Sequence, residues 1–271
     1  MEFGMFTCGY QRVALERAFA DAAAFGYDYI ELWGGRPHAY APDILNAGGA
    51  EDILHLSERY AVPVKVYTPE HNAYPYNYMA GGEAQWRDCV DYLKTAIRAG
   101  AAIDAEYTLV SVGHGGCAPY PERKKRLLRT LRALAKTAEA SGQGLVVETL
   151  TQYESNTCTT LDELVEALDA VDSPALFGMC DVAAPFTRGE DPAGYAKRLK
   201  GRMRLLHLVD SDGVSDAHLM PGDGVMPLER IMRDMMDAGY NGMATIELVT
   251  RYMHEPSRYA KLALERARAL I

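Results

Sequence analysis

GLVVE (144–148), LFGMCD (176–181), RLLH (204–207) and ATIE (244–247) are four short apolar runs, and each ends on a side chain that is costly to bury: Glu148, Asp181, His207 and Glu247. Runs of this length are core material. A carboxylate or imidazole at the end of one packs poorly unless the strand tip gives it a purpose. Helix-like stretches separate the four runs, so they read as four strand tips meeting in one site. Three carboxylates and one imidazole form an oxygen-rich donor set suited to a divalent cation.

Outward from these runs the chain alternates. Strand candidates fall at 3–8, 28–32, 63–67, 107–112, 144–149, 176–181, 204–209 and 243–248. Stretches with helical spacing follow them at 13–26, 50–61, 83–101, 121–141, 160–171, 191–200, 227–238 and 256–270. Several boundaries have a local cause. Gly26, Gly142 and Gly239 stand where a left-handed residue closes a helix. Thr160, with Glu163 three residues on, fits a capping box, and Pro227 fits the first turn of its helix.

Strict β/α alternation demands parallel strands joined by crossovers. Eight units of about 34 residues each fit a closed (β/α)8 TIM barrel. An open doubly wound sheet is the alternative, but neither GxGxxG nor GxxxxGK[ST] follows a strand candidate. No linker or low-complexity segment interrupts the chain, so residues 1–271 read as a single α/β domain. Connections after the strands are long (33–49, 68–82, 113–120, 150–159, 182–190 and 210–226), and those before them are short. In a barrel the long ones gather at the C-terminal face of the strands, where active sites form.

Composition narrows the function. A chain of 271 residues that is 48% hydrophobic can bury a large core. Its net charge of −9 argues against a sequence-independent grip on nucleic acid. No run approaches the roughly 18 apolar residues that span a bilayer, so no membrane partner is expected. MEFGMFTCGYQR has no basic segment followed by an apolar one, and the expected compartment is the cytoplasm. The five cysteines form no CxxC pair, and a disulfide framework is not expected.

On a barrel, two strands separate Glu148 from Glu247, so the two can face a substrate from opposite sides. That is what proton transfer on both faces of one carbon requires. A divalent cation would relieve repulsion among the carboxylates. It would also polarise a carbonyl beside a hydroxyl toward a cis-enediolate. The donor set admits Mn2+, Co2+, Ni2+ or Mg2+, with Mn2+ preferred. His207 should be neutral, its second nitrogen fixed by Asp210 or a backbone carbonyl.

The ligand spacings are 33 residues from Glu148 to Asp181, 26 more to His207 and 40 more to Glu247. With them the chain resembles the xylose-isomerase-like barrel superfamily, and within it the metal-dependent ketose 3-epimerases. The step of 40 is slightly longer than in the free-sugar enzymes. GMFTCGYQR (4–12), GYDYIELWGGRPHAYAPD (26–43), YTPEHNAYPYN (67–77), ETLTQYESN (148–156), HLVDSDGVSDAHLMPGDGVMPLERIMRD (207–234) and ATIELVTRYMHEP (244–256) carry a narrower likeness, to the fructoselysine 3-epimerase branch.

This resemblance implies that Glu148 and Glu247 bind metal and exchange the carbon-3 proton, one on each face. It implies that Asp181 and His207 are plain ligands and that Glu154 contacts substrate hydroxyls. It also implies a sugar substrate and a homo-oligomer, dimer or tetramer. Ala184 and Gly213 depart from the free-ketose enzymes, which carry His and Arg there, and this points to a roomier pocket. An aldose–ketose isomerase or inosose dehydratase is the alternative within the superfamily. An endonuclease-IV-like phosphodiesterase would need further histidines.

Other residues are weighed singly. Trp33 and His38 are placed to wall a sugar, and Glu70, His71 and His114 to reach its hydroxyls. His218 is expected beside the metal. Glu31, at the end of the second strand, is placed either to reach the same sugar hydroxyls or to pair with Arg36. Tyr74, Tyr76 and Tyr78 form an aromatic loop open to stacking or local packing. Arg123, Lys124, Lys125, Arg126 and Arg129 read as a solvated helix face.

Overall fold

Eight parallel strands close into a barrel in chain order, and the last pairs back onto the first with Met243 opposite Glu2. The computed structural model describes residues 1–46 and 48–271; position 47, in the long connection 33–49, lies outside the described residues. The strands are β1 (Glu2–Phe6), β2 (Tyr29–Gly34), β3 (Val64–Pro69), β4 (Tyr107–Ser111), β5 (Gly144–Glu148), β6 (Leu176–Asp181), β7 (Met203–Leu208) and β8 (Met243–Ile246). The helices around them, among the described residues, are α1 (Leu15–Phe25), α2 (Ala41–Leu45), α3 (Gly49–Tyr60), α4 (Glu83–Ala102), α5 (Tyr120–Ser141), α6 (Leu161–Val171), α7 (Ala183–Thr187), α8 (Ala193–Leu199), α9 (Leu228–Asp237) and α10 (Pro256–Arg268). None is long and apolar enough to cross a membrane. The five cysteines are free thiols, Cys117 alone exposed.

Boundaries follow the sequence with small, explicable shifts. Gly26 (φ 87°) and Gly142 (φ 66°) close α1 and α5 in the left-handed conformation. Gly239 (φ 90°) stands two residues past Asp237, the end of its helix. The Thr160 hydroxyl accepts from the Glu163 amide at 3.2 Å, but Glu163 reaches back to the Thr159 amide, one residue earlier than a capping box requires. Pro227 lies just outside α9 instead of in its first turn. The short helices α2 and α7 occupy connections expected to be loop. Each is five residues long, too brief for a helical period to register.

Inside the barrel one apolar layer acts as a plug. Tyr29, Val66, Leu109, Val146, Met179, Leu205 and Met243 come from β2 to β8 and are fully or nearly buried. β1 contributes Gly4, where a Cβ would lie 2.2 Å from the Tyr29 ring, so the missing side chain makes room for tyrosine. Burying each large side chain is worth about 1.5–3 kcal/mol. Side chains alternate along a strand, so the residue two beyond each plug member points to the same axis. Those residues are Phe6, Glu31, Thr68, Ser111, Glu148, Asp181, His207 and Thr245. The layer above the plug is therefore mostly polar, and it forms the floor of a cup at the C-terminal end.

The rim of the cup is held by charged groups acting on backbone. On α5, Arg126 donates to the carbonyls of Tyr78 (2.5 Å) and Ala80 (2.7 Å), and Arg123 donates to that of Asn156. Arg129 pairs with Glu83 and lies 3.4 Å over the Trp86 ring. Lys125 and Arg129 are exposed, as a solvated face requires, but half-buried Arg123 and Arg126 staple two barrel-top loops. Asp210, buried, accepts from the amides of Ser211, Gly222, Gly224 and Met226 at 2.8–3.0 Å. A Cβ at Gly224 would stand 2.3 Å from its Oδ1. This knot fixes the connection that carries His218. Asp210→Ala would strand several buried donors, so unfolding in urea should show a loss of at least about 2 kcal/mol. Unchanged stability would mean that the knot does not hold the loop.

Candidate metal centre

Four strand tips deliver the polar cluster. Donor atoms of Glu148, Asp181, His207 and Glu247 all lie within 4.8 Å of one another. Glu148 ends β5, Asp181 ends β6, His207 is on β7, and Glu247 follows β8 two residues past Thr245. Each has a holding contact. The Ser111 hydroxyl donates to Glu148 Oε2 at 2.7 Å. The Ala183 amide donates to Asp181 Oδ1 at 2.8 Å, where α7 begins. His218 Nε2 lies 2.9 Å from Asp181 Oδ2 and 4.0 Å from Glu247 Oε2.

His207 carries the test of fit for a cation. Its Nε2 faces both oxygens of Glu31 at 3.1 Å. Glu31 is fully buried and takes a further hydrogen bond from the Thr68 hydroxyl at 2.7 Å. With the proton on Nε2 shared with Glu31, a neutral ring presents the Nδ1 lone pair. Nδ1 lies 3.0 Å from Glu247 Oε2 and 3.3 Å from Glu148 Oε1, yet it is buried without an aligned hydrogen bond to either. A lone pair facing carboxylate oxygens is repulsive unless positive charge lies between them. The donor set therefore fits a divalent cation bound by three carboxylates and one imidazole.

Without a cation, the same field places positive charge on the imidazoles instead. Burial raises the Glu148 carboxyl above its ordinary range. Burial also works to raise Glu247, but the imidazoles of His218 and His207 outweigh it and hold that carboxyl down at about 2. Burial works to lower His207, but the charges of Glu31 and Glu247 carry it well above the usual imidazole range. His218 follows the same pattern, with Glu247 and Asp181 overcoming burial. The cluster draws positive charge inward.

Above the cluster is a cavity of about 190 Å³. Glu148, Asp181, His207, Glu247, Glu154, Glu70, Trp33 and His218 all line it. Phe6, Leu150 and Val249 add apolar wall, and Ala184 leaves space where a larger side chain would intrude. Burial, then Asp216 and Glu148, push the Glu154 carboxyl up to about 8, so at neutral pH it can donate a hydrogen bond.

Three placements differ from the sequence reading. His38 does not line the cavity: its Nε2 lies 2.7 Å from the Val13 carbonyl, and its ring backs Trp33 edge-on at 6.0 Å. His114 is exposed, and its Nδ1 accepts from the Gly116 amide at 2.9 Å, so its ring serves its own turn. Glu31 does not pair with Arg36, which is bound bidentately by Asp43 at 2.7 Å. Glu31, not Asp210, is the residue behind His207. Its signal in the sequence was its position in β2, two residues past Tyr29. His71, buried, accepts from the Ser111 amide on Nε2 at 3.1 Å and lines the cavity; burial lowers it to about 4, so it stays neutral.

Residues 19–270 match the family described as xylose isomerase-like TIM barrel. Over its whole length the chain is 49% identical to fructoselysine 3-epimerase of Shigella flexneri, covering 98% of that protein. D-psicose 3-epimerase of Clostridium cellulolyticum H10, solved with D-tagatose, superposes with a TM-score of 0.84 at 16% identity, over 100% of this chain and 99% of that one. A 3-keto-D-glucoside 4-epimerase from E. coli superposes with a TM-score of 0.83 at 15% identity, over 99% of each chain. At such identities these two structures speak for the fold alone.

If Glu31 orients His207 and raises its basicity, Glu31→Gln should weaken Mn2+ binding about 10- to 100-fold with the fold intact. Calorimetric titration of Mn2+ into both proteins measures this. Equal affinities would reduce Glu31 to a packing role.

Proposed function

The chain belongs to the xylose isomerase-like TIM-barrel family, and on that premise we propose that it is a metal-dependent epimerase inverting carbon 3 of a ketose or ketosamine. Fructoselysine and its carbon-3 epimer are the substrate pair of this reading, supported by half-identity over the full chain to a protein of that name. The observation that carries the chemistry is the convergence of Glu148 and Glu247, from the ends of β5 and β8, on one cluster within 4.8 Å.

A divalent cation held by Glu148, Asp181, His207 and Glu247, with Mn2+ preferred, supplies positive charge against the oxygen that becomes an oxyanion. The chain's own groups do the rest. One of Glu148 and Glu247 takes the proton from carbon 3 and leaves a cis-enediolate across carbons 2 and 3. The other returns a proton to the opposite face, and the direction of reaction decides which acts first. Glu154 donates to a substrate hydroxyl. Trp33, Phe6 and Val249 keep water from the sugar's apolar side. His218 sets the position of Asp181 and Glu247.

Proton NMR in heavy water with added Mn2+ reads the reaction centre directly. Fructoselysine should lose its carbon-3 proton signal as the epimer appears. Exchange at carbon 1 or carbon 4 instead, or no exchange with any ketose, would overturn the assignment. Glu148→Gln and Glu247→Gln should each cut the exchange at least about a hundredfold in folded protein, the scale of a lost general acid or base. Exhaustive chelation should abolish exchange and Mn2+ should restore it; full activity after chelation would remove the cation from the mechanism.

A further inference from the structure

Beside the reaction cavity is a second chamber of about 320 Å³, and Trp33, Glu70 and His71 form the wall common to both. The reaction cavity, at about 190 Å³, is on the scale of a small sugar. Sites for larger ligands run from about 300 Å³ upward, so the pair of chambers offers more room than a free ketose needs.

The second chamber is built from rigid aromatics. The Tyr40 and Tyr76 hydroxyls meet at 2.6 Å, and Tyr76 stacks on Tyr92 with ring centroids 3.8 Å apart. Tyr74 stands at its edge, 94% exposed. Such walls suit a hydrocarbon stem.

Its charges have an order. Glu70 belongs to both cavities, whereas Arg36 lines the second alone. One Glu70 oxygen accepts from Trp33 Nε1 at 2.7 Å, and the other has no hydrogen bond among the described residues. Arg36 gives two of its five N–H donors to Asp43, which aligns the guanidinium 4.6 Å from the Tyr40 ring centroid and leaves three donors over. The junction of the two chambers thus carries a carboxylate, and the second chamber carries a guanidinium set against its aromatic wall.

We propose that this chamber is the subsite for an amino-acid arm carried on carbon 1 of the substrate. The carbon-1 ammonium meets Glu70 at the junction, the methylene stem lies on the tyrosine wall, and the terminal carboxylate reaches Arg36. The proposal rests on the ketose 3-epimerase reading and identifies what selects an amine-substituted ketose over a free one.

The test uses the Mn2+-loaded protein and three substrates: fructose, N-butyl-fructosamine, and the fructose adduct of 6-aminohexanoate. The second adds amine and stem, and the third adds the carboxylate. Carbon-3 deuterium exchange gives kcat/KM for each. Each addition should raise kcat/KM about tenfold or more, the scale of one charge-assisted contact. Arg36→Gln should shrink the advantage of the carboxylate substrate over the butyl one about tenfold, mainly through KM, because the contact is made equally in ground and transition states. Circular dichroism checks that this exposed substitution leaves the fold intact, and the wild-type series stands without the variant. Equal kcat/KM for all three substrates, or an Arg36→Gln protein that keeps the carboxylate advantage, overturns the subsite while leaving the epimerase reading in place. No exchange with any of the three overturns both.

Discussion

The two-residue period of a strand governs this molecule. An apolar layer seals the barrel at Tyr29, Val66, Leu109, Val146, Met179, Leu205 and Met243. The next inward step on each strand then has to fall in the next layer up. Placing Glu31, Glu148, Asp181 and His207 at that step gathers acids and an imidazole on one axis without any loop having to carry them. A one-residue slip in any strand would turn its member outward to the helices. The closed ladder of eight parallel strands prevents the slip, so packing below fixes the chemistry above.

This placement has a cost in stability. Buried carboxylates a few ångströms apart repel one another, and burying charge without compensation is strongly unfavourable. The chain offsets part of it with fixed partners: the Ser111 hydroxyl for Glu148, the Ala183 amide for Asp181, and the Glu31–Thr68 pair for His207. The remaining negative charge makes the same site hungry for a cation. Strain of this kind is tolerated where function needs it, with stability supplied elsewhere. Here the plug, the Asp210 knot and the α5 arginine staples supply it.

Much of this was legible in the sequence because it depends on short-range regularities. Alternating strand and helix periods gave the barrel, and four apolar runs ending in Glu148, Asp181, His207 and Glu247 gave the cluster. What the linear reading missed involves pairs distant in the chain. Glu31 lies 176 residues from His207, and its role depends on which neighbours face it across the barrel, so its nearest cation in sequence, Arg36, was the wrong partner. His38 and His114 looked like sugar contacts because they follow strands. Whether a loop side chain turns inward is set by the path of the loop, which no period encodes. Arg123 and Arg126 looked solvated because helical spacing shows that a face is polar but not what lies against it.

The same reasoning separates what barrels of this shape share from what distinguishes them. A structure with 16% identity superposes over the whole chain, so the strand scaffold survives nearly complete replacement of its sequence. The floor of the cup depends on strand register. The walls depend on the connections after β2 and β3, which in this chain supply Trp33, Arg36, Tyr40, Glu70 and Tyr76 around two joined cavities. On the proposed epimerase reading, rate enhancement at the reacting carbon is set by the floor, and choice of substrate by those two connections. Under that reading one floor can serve sugars of different size if the walls alone change, because contacts to a remote arm leave the geometry at the reacting carbon untouched.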